Sequence, residues 1–169
     1  HFVLASGKTS TLYIDARLTT MSPEGLAIIG PLGLDAIREF FATPQVDAIG
    51  GLTLGADPIA YAIAYASAQT PHPLRAFTVR KEAKAHGTGR QVEGPYRKGD
   101  RVVVVEDVIT TGGSALRAVE VLRAQDASVA GVLALVDREE GGRERLEEAG
   151  LSVVTLARAS EIVPHLKDV

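Results

Sequence analysis

The clearest pattern in the chain is RVVVVED over 101–107, four adjacent valines running into two acids. An unbroken, β-branched apolar run of this kind predicts a strand buried on both faces. Shorter runs predict further strands at VDAIGGL (46–52), LRAFTVR (74–80), VAGVLALVD (129–137) and LSVVTLA (151–157). Between them the apolar residues recur at helical spacing. Ser22-Pro23-Glu24 reads as a helix start, with a capping hydroxyl, a first-turn proline and an acid at the positive end of the dipole. Leu26, Ile29, Ile37 and Phe40 carry that helix toward Phe41. ADPIAYAIAYASAQ (56–69), GSALRAVEVLRAQ (113–125) and ERLEEAG (144–150) predict three more helices. Near the start, 2–4 and 11–17 (TLYIDAR) predict two short strands around the polar turn SGKTS, a hairpin.

Strands that alternate with helices predict an α/β fold with a mainly parallel, doubly wound sheet. The expected organisation is a single domain over 1–169, with a hairpin or hood region at about 1–20. A polar, glycine-bearing stretch at about 81–99 predicts a loop. The chain opens at His1 inside the apolar stretch HFVLASG, so a preceding segment, a helix, is expected upstream. In doubly wound sheets ligands sit beyond the carboxyl ends of the strands. That rule gathers Gly50–Gly55, Arg80–Lys84, Glu106–Ser114 and Asp137–Arg138 along one edge.

Composition narrows the options. At 46% hydrophobic and 23% charged the chain has the balance of a water-soluble globular protein. No apolar run approaches the ~18 residues of a membrane span. With no cysteine there are no disulfides, thiolate metal sites or cysteine nucleophiles, which fits a cytoplasmic location. A net charge of −3 disfavours a general nucleic-acid surface. Yet eight basic residues (Arg75, Arg80, Lys81, Lys84, Arg90, Arg97, Lys98, Arg101) face only Glu82, Glu93 and Asp100 between 75 and 101. This local excess is either a site for a small, highly charged anion or a solvated basic loop.

The segment EDVITTGGS (106–114) carries the most chemistry. Thr110-Thr111-Gly112-Gly113-Ser114 offers backbone N–H groups, three hydroxyls and a helix N-terminus, which suit a phosphate. Alone it could equally be a tight, capped connection; it matches neither a Walker A loop nor G-x-G-x-x-G. Glu106 and Asp107 change that balance. Ionised carboxylates only accept hydrogen bonds, so they would repel a phosphate but match the vicinal 2′ and 3′ hydroxyls of a ribose. The ligand satisfying the whole segment is a ribose 5-phosphate.

With its valine run, EDVITTGGS closely resembles the ribose-5-phosphate signature of type I phosphoribosyltransferases. FVLASGKTSTLYIDAR (2–17) resembles the N-terminal hairpin of the orotate phosphoribosyltransferases, and TVRKEAKAHGTGRQVEG (78–94) their mobile catalytic loop. ALVDREEGG (134–142) matches a further segment in the same order. The resemblance implies the type I phosphoribosyltransferase sheet and transfer of a phosphoribosyl group from 5-phosphoribosyl 1-pyrophosphate to orotate, giving orotidine 5′-monophosphate for pyrimidine nucleotide (UMP) synthesis.

It also assigns residues. Arg80, Lys81, Lys84 and His86 would meet the pyrophosphate, Lys84 and His86 from the neighbouring subunit of a homodimer with shared sites. Glu106 and Asp107 would hold the ribose, with Val108, Ile109, Thr110, Thr111, Gly112, Gly113 and Ser114 around the 5-phosphate. Lys84, His86 and Asp107 are the expected catalytic residues. Arg138 would pair with the carboxylate or ring carbonyls of orotate, unless it is a capping or surface arginine. Thr110 and, more weakly, Lys8 would adjoin orotate, and Tyr13 would either flank the ring or pack the hairpin. Mg²⁺ carried by the substrate is the expected cofactor, with no ligand supplied directly by the protein; no nucleic acid or membrane partner is expected. Where several relatives carry a lysine near the pyrophosphate, this chain has Gly55, and Asp57 reads as a cap of the next helix. Transfer to another base, a non-catalytic sensor of phosphoribosyl pyrophosphate and a purely structural module are the rival readings.

Overall fold

The computed structural model describes residues 2–3, 9–10, 14–41, 43–82 and 91–165, the first two segments and residue 165 by backbone alone. Strand β1 (Phe2–Val3) pairs antiparallel with β2 (Thr9–Ser10), as expected of a hairpin. Of the second strand expected over 11–17, residues 11–13 lie outside the described residues. Residues 14–16 are in no strand and Arg17–Thr20 is a short helix, α1. The cause is local. The Asp15 carboxylate accepts from the Arg17 backbone N–H at 3.1 Å and grips its guanidinium through two further bonds of 2.8 and 2.9 Å. Those contacts hold a turn where an alternating pattern predicts a strand.

Helix α2 (Pro23–Phe40) starts as expected, with Ser22 Oγ accepting from Gly25 N at 3.0 Å. Its end differs in one respect: Phe40 is 57% exposed and the following Phe41 enters the core. Then come β3 (Ala48–Leu52), α3 (Ala56–Ser67) and β4 (Arg75–Val79). A two-residue strand β5 (Val92–Glu93), too short to register in the sequence pattern, pairs antiparallel with β4. β6 (Arg101–Ile109), α4 (Gly113–Ala124), β7 (Ser128–Asp137), α5 (Gly142–Glu148) and β8 (Val153–Arg158) complete the alternation, followed by α6 (Ala159–Ile162) and a 3-10 turn.

The main sheet has the order β5-β4-β3-β6-β7-β8, parallel except for β5. Val102 to Val105 are fully buried. Val103 and Val105 face α2 and α3 with Ile59, Ile63 and Leu133; Val102 and Val104 face α4 and α5 with Val119, Leu122 and Leu146. Burying a valine side chain stabilises by ~1.5–3 kcal/mol, which makes this strand the spine of the fold. The chain winds one way from β3 to β4 and the other way from β6 to β7. Their neighbouring carboxyl ends therefore mark the switch point where a doubly wound sheet opens a crevice.

Candidate active site

A cleft of about 550 Å³ opens at that switch point. β6 delivers Glu106, Asp107 and Val108 to its floor, and the turn into α4 adds Thr110, Thr111 and Ser114. Leu52, Thr53, Leu54 and Gly55 come from the end of β3, Lys81 from the end of β4, and Arg138 and Glu140 from the end of β7. Ile14, Asp15, Ala16 and Arg17 form the remaining wall.

The phosphate-type turn is built as its residues require. Gly112, the residue before α4, has φ +73°, and a Cβ there would stand 2.8 Å from the Gly142 carbonyl oxygen. Only glycine meets both conditions. The start of α5 supports the turn from behind, where Arg145 donates to the Thr111 carbonyl at 3.1 Å. No side chain caps α4, so its first N–H groups face the cleft with the hydroxyls of Thr110, Thr111 and Ser114. Ile109, expected near the phosphate, is instead a core side chain; its carbonyl accepts from Arg138 N at 3.0 Å and ties β6 to the end of β7.

The acidic pair differs from two exposed carboxylates. Glu106 is 8% exposed, while Asp107 is half-buried and accepts from its neighbour Val108 N at 2.8 Å. Burial first, then the Asp107 charge and a hydrogen bond with the Asp107 side chain, together push Glu106 up to about 8. Without ligand the pair therefore carries a proton at neutral pH. Across the crevice Gly55 presses against Asp107: a Cβ on Gly55 would lie 2.7 Å from the carboxyl carbon and both its oxygens. The absent side chain is what lets the β3 turn close on the acid.

The basic excess disperses. Arg75 grips Asp100 through bonds of 2.9 and 2.8 Å, Lys98 pairs with Asp126 at 2.9 Å, and Arg101 donates to the carbonyls of Phe41 and Pro44. Arg80, expected at the pyrophosphate, lies outside the cleft lining and reaches Glu93 at 3.0 Å, bracing β5. Lys81 lines the cleft, and its carbonyl accepts from Arg117. The candidate residues Lys8, Tyr13, Lys84 and His86 lie outside the described residues.

Arg138 is a buried cleft residue, with its guanidinium held by Glu140 at 2.6 Å. A positive group on the cleft wall suits an anionic ring substituent. Glu140 and the Asp15–Arg17 pair are lining residues that sequence reasoning missed. Glu140 had a usable signal, an acid two residues after the basic candidate. Among the described residues no three His, Cys, Asp or Glu side chains cluster to hold a metal ion.

The chain matches the model of the phosphoribosyl transferase domain over residues 23–158. It is 50% identical over 162 residues to the orotate phosphoribosyltransferase of Aquifex aeolicus, covering 96% of this chain and 86% of that one. It is 46% identical over 159 residues to that of Rhodopirellula baltica, covering 92% and 81%. A crystal structure of Mycobacterium tuberculosis orotate phosphoribosyltransferase in complex with 5-phospho-alpha-D-ribosyl 1-diphosphate superposes with a TM-score of 0.76. It is 40% identical and covers 89% of this chain and 83% of that one. This chain therefore belongs to the phosphoribosyltransferase family, among the orotate phosphoribosyltransferases.

Proposed function

We infer that the chain transfers phosphoribosyl from 5-phosphoribosyl 1-pyrophosphate to orotate, releasing orotidine 5′-monophosphate and pyrophosphate in UMP synthesis. The observation that carries this reading is the convergence in one cleft of three groups: the acid pair, the phosphate-type turn and buried Arg138.

The turn at Thr110–Ser114 takes the 5-phosphate through backbone N–H groups and hydroxyls. Glu106 and Asp107 accept from the ribose 2′ and 3′ hydroxyls, and the shared proton leaves as the sugar binds. As the bond from C1′ to the pyrophosphate oxygen breaks, the ring nitrogen of orotate attacks C1′. The sugar gains positive character, which the neighbouring acids favour, while the leaving group gains negative charge. Lys81 and the backbone N–H groups of Leu54 and Gly55 face that charge from two sides. Arg138 holds the orotate carboxylate in exchange for Glu140. Lys84 and His86 close from the segment between β4 and β5 of a second copy and exclude water.

Two carboxylates next to open backbone donors fit a metal that arrives with the substrate, where Glu106 and Asp107 would approach it through the ribose hydroxyls. Bound there, Mg²⁺ would neutralise part of the pyrophosphate charge. The homodimer reading is supported by an apolar face on α2 and α3, where Ile28, Leu32, Tyr61 and Tyr65 are more than half exposed beside a groove of about 430 Å³. A cytoplasmic location fits the cysteine-free chain, and no helix of the described residues is long and apolar enough to cross a membrane.

The test is to mix protein, Mg²⁺ and phosphoribosyl pyrophosphate with orotate, uracil, adenine or hypoxanthine and follow the loss of each base. Orotate should be consumed fastest; preferential turnover of another base overturns the assignment.

A further inference from the structure

Asp57 stands in the first turn of α3, where the sequence suggested a helix cap. It caps nothing: the residue before α3 is Gly55, with no side-chain cap. Both Asp57 oxygens are instead taken by hydroxyls from two other elements. Thr53 Oγ1, in the turn after β3, donates to Oδ2 at 2.7 Å. Thr78 Oγ1, on β4, donates to Oδ1 at 2.8 Å. The Tyr61 hydroxyl lies 2.9 Å from Thr78 Oγ1. A threonine hydroxyl has one hydrogen, and Thr78 spends it on Asp57, so Tyr61 is the donor in that contact. The whole relay, Tyr61 to Thr78 to Asp57 and Thr53 to Asp57, points inward to a single carboxylate.

What this carboxylate holds is the wall of the cleft. Thr53, Leu54 and Gly55 line it, and Gly55 abuts the Asp107 carboxyl. The turn is tied to β4 a second time, by Thr53 N donating to the Val79 carbonyl at 2.9 Å. An acid beside a polyanion site would ordinarily weaken binding. One whose oxygens are both occupied by hydroxyls has a different use, because those bonds fix the turn in place.

We propose that Asp57 is a positioning residue for the pyrophosphate end of the reaction, locking the Thr53–Gly55 turn to β4 so that the backbone N–H groups of Leu54 and Gly55 meet the leaving group. This rests on the phosphoribosyltransferase reading above and adds to it a function for the residues beside Gly55. The turn Thr53-Leu54-Gly55 carries no lysine, so it relies on backbone donors, and backbone donors are only as well placed as the turn that carries them.

The experiment runs the reaction in reverse, from orotidine 5′-monophosphate and pyrophosphate, with Asp57→Asn, Thr78→Val and Thr78→Ser. Asp57→Asn puts an amide donor against a hydroxyl that already donates, and Thr78→Val removes one arm without changing side-chain shape. Each should raise the KM for pyrophosphate about tenfold, the scale of one hydrogen bond to a charged group, with the KM for orotidine monophosphate within about twofold of the parent. Thr78→Ser, which restores the hydroxyl, should return pyrophosphate KM to the parent value. If Asp57→Asn does not fold, the Thr78 pair carries the test. An unchanged pyrophosphate KM overturns the proposal, as does an equal rise in both KM values. Absent turnover by the parent protein would instead sink the underlying functional reading, and this proposal with it.

Discussion

Replacing Glu106 with glutamine tests the protonated acid pair. Glutamine has the shape of a neutral glutamic acid and cannot ionise. In the folded chain burial and Asp107 push Glu106 from its ordinary 4.5 to about 8. The folded state thus keeps a proton that the unfolded chain releases above about 4.5. Stability from this group is full below that value and is lost as pH rises toward about 8. With one extra proton bound to the folded state, the loss is about 1.4 kcal/mol per pH unit. For a chain of this size, Tm moves ~2–4 °C per kcal/mol, so raising the pH from about 6 to 7 should lower the wild-type Tm by roughly 3–6 °C. Glu106→Gln should lack that component, and because all other titrating groups are common to both proteins, the difference between the two Tm profiles isolates it. Differential scanning calorimetry of the ligand-free proteins at several pH values is the assay. Parallel profiles would refute the argument, since they would place Glu106 at an ordinary acidity in the fold.

Other substitutions separate the remaining parts of the site. Arg138→Ala should raise the KM for orotate by about 10- to 100-fold, the worth of a charge-assisted hydrogen bond, and leave that for phosphoribosyl pyrophosphate nearly unchanged; an unaltered orotate KM removes Arg138 from the site. Gly55→Ala would push a methyl group to 2.7 Å from the Asp107 carboxyl, so phosphoribosyl pyrophosphate affinity should fall about tenfold in a binding titration, and parental affinity would show the contact to be immaterial. Lys84→Ala and Asp107→Ala should each be nearly inactive, yet mixing them should recover activity in heterodimers if Lys84 reaches a neighbour's site. No recovery in exchanged subunits argues for sites built within one chain.

Much of this architecture is legible in the sequence because parallel strands buried on both faces leave continuous apolar runs, as in Val102–Val105. The acid pair and phosphate turn are equally legible, since they are contiguous on one strand–turn–helix unit. What escapes notice depends on partners distant in sequence or on very short elements. β5 is two residues long, and its Val92 is placed by Val79. TLYIDAR alternates like a strand, but the Asp15–Arg17 fork folds its end into a turn. The basic excess at 75–101 reads equally as an anion site or a solvated loop, because the ion pairs of Arg75, Lys98 and Arg80 with Asp100, Asp126 and Glu93 form only in the fold. Asp57 reads as a cap because its acceptors are visible and its donors, Thr53 and Thr78, are not. The proton on Glu106 likewise depends on burial, which no local motif encodes.

The most direct test of the central claim, one ribose 5-phosphate site shared between the acid pair and the turn, is a crystal structure with orotidine 5′-monophosphate bound. The predicted result places the 5-phosphate oxygens at ~2.7–3.2 Å from the backbone N–H groups and hydroxyls of Thr110–Ser114. The two ribose hydroxyls should rest on Glu106 and Asp107, and the base carboxylate should lie on Arg138. A phosphate bound elsewhere, or ribose hydroxyls turned away from the two acids, would contradict it.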